Sequence, residues 1–246
     1  MYFSTHGLAV TQFTPPLQQS VEGFCVGDLL FFHCGASGGR FTHSLIKSAD
    51  LVSMLTNLPK ALACDIDFDL HLVHVEMVVG IDACSGKAIL GGLPGKEKVS
   101  RKKLFQTYID ELPENDVSRY EWFRPKDRNF ARMSAVVLNE LIDRSIKYSF
   151  TSCFKTVVPM LFKPHETINN DKMNCQQIIL NALTLTNQRM MSIHGYSSPC
   201  GKLGLHSQAT PSRVFYKLNQ HEGWLKIGQF PIQRSFPLET STLRCK

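Results

Sequence analysis

Residues 70–81 read Leu-His-Leu-Val-His-Val-Glu-Met-Val-Val-Gly-Ile. This β-branched run is of strand type. Cys84-Ser85-Gly86 supplies a turn and Lys87 to Leu90 returns, so the sequence predicts a hairpin over 70–93. Upstream, residues 24–33 (Phe-Cys-Val-Gly-Asp-Leu-Leu-Phe-Phe-His) predict a short strand with a turn at Gly27-Asp28. Between them, Leu45, Ile46, Ala49, Val52 and Leu55 recur at helical spacing and predict a helix over 43–57.

Downstream, Tyr120-Glu-Trp-Phe-Arg124 predicts a strand ended by Pro125. Asp127 is placed to cap a helix from about 128 to 146, with Phe130, Val137, Leu138, Leu141 and Ile142 on one face. Residues 149–173 form a Phe- and Pro-rich connection. A further helix opens at Cys175 and carries Ile178, Ile179, Ala182 and Leu183. Thr210-Pro211-Ser212 opens a last helical piece, 211–220. Short strands interspersed with helices predict an α+β domain around an antiparallel sheet.

The chain has 246 residues, enough for one sizeable domain. Apolar residues make up 43% and charged residues 20%, which excludes a disordered, collagen-like or coiled-coil chain. No apolar run approaches the roughly 20 residues of a membrane helix, so no integral membrane segment is expected. The first residues show no charged start followed by an apolar stretch. Cytoplasm is then the default location, with signal-independent delivery into a host cell as the alternative. The net charge of +6, from 27 basic and 21 acidic residues, is a mild excess that reads as a solvated surface. The basic stretch Lys96 to Lys103 reads as a solvated loop without the aromatic interleaving of a single-strand binder, and no nucleic-acid partner is expected. Gly35, Gly38 and Gly39 lack the spacing of a phosphate-binding loop.

Eight cysteines occur, at 25, 34, 64, 84, 153, 175, 200 and 245, with no Cys-x-x-Cys pair. Their scatter predicts reduced, mostly structural thiols with room for one reactive one. Cys175, in Met-Asn-Cys-Gln-Gln, sits at the first turn of its helix. Backbone N–H groups and the positive dipole end there favour a thiolate, the nucleophilic form. The bland alternative is a packed cysteine. His74 falls inside a strand, which holds an imidazole rigidly, as a general base must be held. Strand alternation puts Glu76 on the face of His74 and turns Val73, Val75 and Met77 the other way. His71 and His74 are an odd number of positions apart and fall on opposite faces, which disfavours a metal site. Asp28 after Gly27 reads as turn chemistry.

Taken together these segments resemble the circularly permuted NlpC-type branch of papain-like thiol peptidases and amidases, relatives of the lecithin retinol acyltransferases. Gly27-Asp28-Leu29-Leu30-Phe31 is similar to the family's opening strand, and His43 to Val52 to its spacer helix. His74-Val75-x-Met77-Val78-Val79-Gly80 resembles the histidine strand. Tyr120 to Asp127 is similar to the strand leading into the middle helix, and Tyr148-Ser149-Phe150 to that helix's end motif. Asn174-Cys175-Gln176-Gln177-Ile178-Ile179 resembles the nucleophile helix, and Thr210-Pro211-Ser212 the closing motif. The order, His first and Cys about 100 residues later, marks the permuted branch.

The resemblance implies a papain-like fold with an antiparallel sheet packed against helices. It covers a catalytic domain at 24–228 and leaves a tail at 229–246, while Pro15-Pro16 and weak periodicity predict a loose arm at 1–23. Cys175 and His74 would form the dyad of a cysteine hydrolase acting on a peptide, amide or acyl-lipid through a thioester. Asp28 and Glu76 would support it, and no metal or cofactor is required. An acyltransferase on the same dyad, or a weakened module that only binds, are the alternatives. Two departures stand out. The family's third polar residue would fall near Gly91 or Gly92, which have no side chain; Glu76, a backbone carbonyl or a water are the alternatives, and Glu76 stands where relatives tend to have glycine. Gln176 and Gln177 stand where Ser-Glu is common.

Overall fold

The computed structural model describes residues 19–33, 72–94, 99–112, 117–149, 172–205 and 211–234. The helix expected over 43–57, the glycines 35, 38 and 39, His71, Phe150, Thr210 and most of the 149–173 connection lie outside them.

The described chain is α+β. In sequence order it forms strand β1 (Leu29–His33), β2 (Leu72–Ile81), β3 (Ala88–Gly92) and β4 (Arg101–Leu104), then helix α1 (Phe105–Glu111) and β5 (Arg119–Pro125). Helix α2 (Arg128–Asp143) follows, then the short β6 (Lys147–Tyr148) and β7 (Lys172–Met173), α3 (Cys175–His194), a 3-10 turn (Pro199–Gly201), α4 (Pro211–Gln220) and β8 (Trp224–Pro231). Six strands make one sheet in the order β4-β3-β2-β1-β5-β8, every pair antiparallel. β6 and β7 pair separately, in parallel.

Strand alternation splits the core in two. Leu29, Phe31, Val75, Met77, Val79 and Phe123 point to one face, where Leu138 and Ile142 of α2, Ile179 and Leu183 of α3, and Val214 and Leu218 of α4 cover them. Leu30, Phe32, Val78, Leu90 and Trp122 point to the other, where Phe24 and the α1 residues Phe105, Tyr108 and Ile109 close over them. The central strands are therefore buried on both faces, which is why β1 is apolar at nearly every position.

The β2–β3 hairpin forms as the β-branched run and turn residues dictate, with Asp82 accepting from Ser85 N at 2.8 Å to close the turn. Asp127 caps α2 by accepting from Asn129 N and Phe130 N, both at 3.0 Å. The helix stops at Asp143, short of Ile146. Ser145 turns into the left-handed region at φ 53°, and Ile146 drops into the core instead. Gly27 has φ +91°, and a Cβ there would stand 2.6 Å from the carbonyl oxygen of Ala131, so the turn into β1 approaches α2 through a glycine.

One expectation is corrected. Within the stretch read as a solvated basic loop, Arg101–Leu104 is the edge strand β4, paired with β3 from Ile89–Leu104 to Gly92–Arg101. Its cations are engaged: Lys102 Nζ meets Asp143 at 2.8 Å, Lys103 pairs with Glu111, and the Arg101 guanidinium lies 4.9 Å over the Tyr108 ring. An edge strand tolerates such a charge density, so it shows no apolar period to read. The helix α1 and the strand β8 had no counterpart in the sequence reading. β8 carries the sheet through Pro231, past the boundary placed at 228. Among the described residues no helix is long and apolar enough to cross a membrane.

Candidate active site

α3 begins with a full capping box. Asn174 Oδ1 accepts from Gln177 N at 3.0 Å, and Gln177 Oε1 accepts from Asn174 N at 3.0 Å. Gln177 therefore does what a glutamate would do at that place, and its role is to start the helix. The box leaves the N–H groups of Cys175 and Gln176 outside both the cap and the helical ladder. Cys175, the first helical residue, is 2% exposed.

His74 lies near the start of β2, on the α1 face, opposite Phe32 across the β1–β2 ladder. Phe32 and Tyr108, themselves 5.1 Å apart, lie on one side of its ring, each at a centroid distance of 6.3 Å. The β2–β3 ladder ends at the Met77–Gly91 pair, so His74 lies beyond the last rung. There the imidazole is coupled to Cys175, the first residue of the helix packed on the opposite face. Its Nε2 is 2.6 Å from Glu76 Oε1, so the carboxylate holds that ring nitrogen. The side chain of His74 is 14% exposed and that of Glu76 only 2%.

Burial alone would disfavour the imidazolium. The charge of the Cys175 thiolate, a hydrogen bond with it, and the hydrogen bond and charge of Glu76 outweigh that and push His74 up to about 10. The sulfur has a second neighbour: Cys175 Sγ donates to Gln176 Oε1 at 3.2 Å, and Gln176 is itself buried.

Glu76 is the carboxylate on the His74 ring, and Gly92 makes room for it. A Cβ built on Gly92 would overlap the Glu76 carboxylate, whose two oxygens occupy the space above that glycine. Strand alternation made the pairing of His74 with Glu76 legible, whereas nothing in a 3.6-residue period aims the Gln176 side chain back at its neighbour.

Asp28 is engaged elsewhere. Its carboxylate accepts from Cys25 N (2.8 Å), Trp122 Nε1 (2.7 Å), Arg124 Nε (2.9 Å) and Arg124 Nη2 (2.8 Å), rather than from either member of the dyad. It lines a small cleft with Val26, Arg124, Lys126 and Arg128. Burial pushes its carboxyl up from the ordinary range, while Arg124 and the other N–H donors pull the other way. Four N–H groups aimed at two oxygens favour the carboxylate, and the role this geometry describes is structural.

Set against family models, curated proteins and solved structures, the chain matches none. The site must therefore be read from its own geometry. Among the described residues no group of three or more His, Cys, Asp or Glu side chains is placed to hold a metal ion. The cysteines at 25, 84, 175 and 200 are all free thiols, and Cys84 is the exposed one.

The raised His74 has a consequence for stability. An ordinary imidazole gives up its proton near 6.5, and the folded one near 10. The native state thus holds a proton that the unfolded chain releases, so stability falls as pH rises between those values. The charged ring's contribution is complete below about 6.5 and gone above about 10. Urea midpoints across that window should fall more steeply for the native sequence than for His74→Ala, and parallel curves would contradict the coupling.

Proposed function

We propose that the chain is a cysteine hydrolase of papain-like, circularly permuted arrangement, cleaving an amide or acyl bond through a thioester on Cys175. The observation that carries this reading is the buried coupling of Cys175, at the head of a 20-residue helix, to His74, whose Nε2 is held by Glu76. Three groups from two elements converge on one proton path: sulfur, imidazole, carboxylate. A packed structural cysteine requires none of this.

In the proposed reaction the thiol proton rests on His74, and the thiolate attacks the substrate carbonyl carbon. Glu76 on Nε2 holds the orientation and tautomer of the ring. The N–H of Cys175, free of the capping box, is placed to donate to the developing oxyanion. His74 then gives its proton to the leaving amine or alkoxide, and water, activated by the same ring, releases the acyl group. The aromatic rings of Phe32 and Tyr108 cover one side of the imidazole, and its exposed part is the approach for substrate.

Treatment with p-nitrophenyl acetate tests the reading directly. Intact-protein and peptide mass spectrometry should find one acetyl group on Cys175, labile to hydroxylamine. It should be absent in Cys175→Ala and strongly reduced in His74→Ala. Acetylation confined to lysines, with Cys175 unmodified, would leave a binding module in place of the enzyme.

A further inference from the structure

The Gln176 carboxamide touches the nucleophilic sulfur and belongs neither to the capping box nor to the imidazole–carboxylate pair. It is 4% exposed, so water does not compete for its hydrogen bonds. With the thiol protonated, Sγ–H donates to Oε1. Once the proton has passed to His74, the sulfur has nothing left to donate. A carbonyl oxygen facing a thiolate is repelled by it, whereas an amide N–H there is a charge-assisted donor. The two ends of a carboxamide interchange by a half-turn about the last side-chain torsion, a broad, roughly two-fold rotor.

We propose that Gln176 is a further catalytic residue of this site: its carboxamide accepts from the Cys175 thiol and, after a half-turn, donates Nε2–H to the thiolate. The proposal rests on the Cys175–His74 dyad. One proton moves, from sulfur to His74. Gln176 exchanges a hydrogen bond and neither gains nor loses a proton.

The test is the pH profile of Cys175 alkylation by limiting iodoacetamide, read by peptide mass spectrometry. Gln176→Met keeps the shape and removes both hydrogen bonds. Its labelling midpoint should move up by roughly half a pH unit or more, because the charge-assisted bond to the thiolate that is lost is stronger than the neutral bond to the thiol lost with it. Gln176→Glu should move it up further, because a carboxylate repels the thiolate. A folded Gln176→Met whose midpoint does not move would overturn the proposal. The unmodified protein gives a readout that no folding defect can obscure. The side-chain amide resonances of Gln176, followed by ¹⁵N NMR, should shift through the same midpoint as the labelling. Resonances that stay fixed across it would overturn the role just as firmly. The dyad fails separately: if Cys175 in the unmodified protein labels no faster than exposed Cys84, the dyad falls and this role falls with it.

Discussion

Alanine in place of Asp28 should cost about 2–4 kcal/mol of folding stability, somewhat less than breaking a fully buried ion pair, because the Arg124 side chain stays 24% exposed. Asp28 is fully buried, and four N–H groups from Cys25, Trp122 and Arg124 end on its two oxygens. Alanine leaves all four without that acceptor and strands the Arg124 guanidinium over the Trp122 ring, 4.9 Å away. Arg124 Nη2 also donates to Gly23 O at 3.0 Å, so the loss would spread into the segment that carries Phe24 onto the sheet. Asp28→Asn keeps one oxygen and should recover part of the loss. Urea unfolding followed by tryptophan fluorescence measures both, and a loss below about 1 kcal/mol for alanine would show that the network is not a unit. Cys175 alkylation in Asp28→Ala, under conditions where the variant stays folded, should match the native protein, because Asp28 does not touch the dyad.

The second large effect is expected at Gly92. A methyl group there overlaps the Glu76 carboxylate, so Gly92→Ala must displace the acid or shift the strand. Overpacking of this kind costs about 1–3 kcal/mol. If Glu76 swings away from Nε2, the ring loses its orienter, and turnover of p-nitrophenyl acetate should fall by about 10²–10⁴-fold, the range for a positioned acid–base group. Glu76→Ala should lose activity to a similar degree. The double variant decides the cause. Once Glu76 is alanine, the space above position 92 is empty, and Gly92→Ala should cost little further stability or activity. Costs that simply add would mean that the two residues act independently.

The sequence made the fold legible where periodicity is strong. The β-branched run of β2, its turn, and the apolar stripes of α2 and α3 follow from alternation and helical spacing, and Asp127 was readable as a cap. β4 was not legible, because an edge strand reading Arg-Lys-Lys-Leu presents its charges to solvent and to Asp143, Glu111 and Tyr108. β8 was equally silent: Gly228 and Pro231 break the strand pattern, and most of its side chains are exposed.

The site divides in the same way. His74 and Glu76 share a face by counting, and Cys175 is marked by its place after Asn174. The grip of Arg124 and Trp122 on Asp28 joins residues 96 and 94 positions apart, which no local pattern reports. The space shared by Glu76 and Gly92 depends on cross-strand register, and the turn of Gln176 onto sulfur depends on a side-chain rotamer. Both are properties of packing, visible only once the chain is folded.

The central claim is that Cys175 and His74 work as a thiolate–imidazolium pair, and the pH dependence of cysteine alkylation addresses it most directly. Limiting iodoacetamide, applied from acidic to alkaline pH and read by peptide mass spectrometry, compares Cys175 with exposed Cys84 in one experiment. Cys84, an exposed free thiol, is the internal reference. Cys175 should label first although it is 2% exposed, and should already do so below neutrality. His74→Ala should move Cys175 labelling toward higher pH and leave Cys84 unchanged, because only Cys175 loses a counter-charge. A Cys175 that labels no faster than Cys84 at any pH, with His74→Ala changing nothing, would contradict the account.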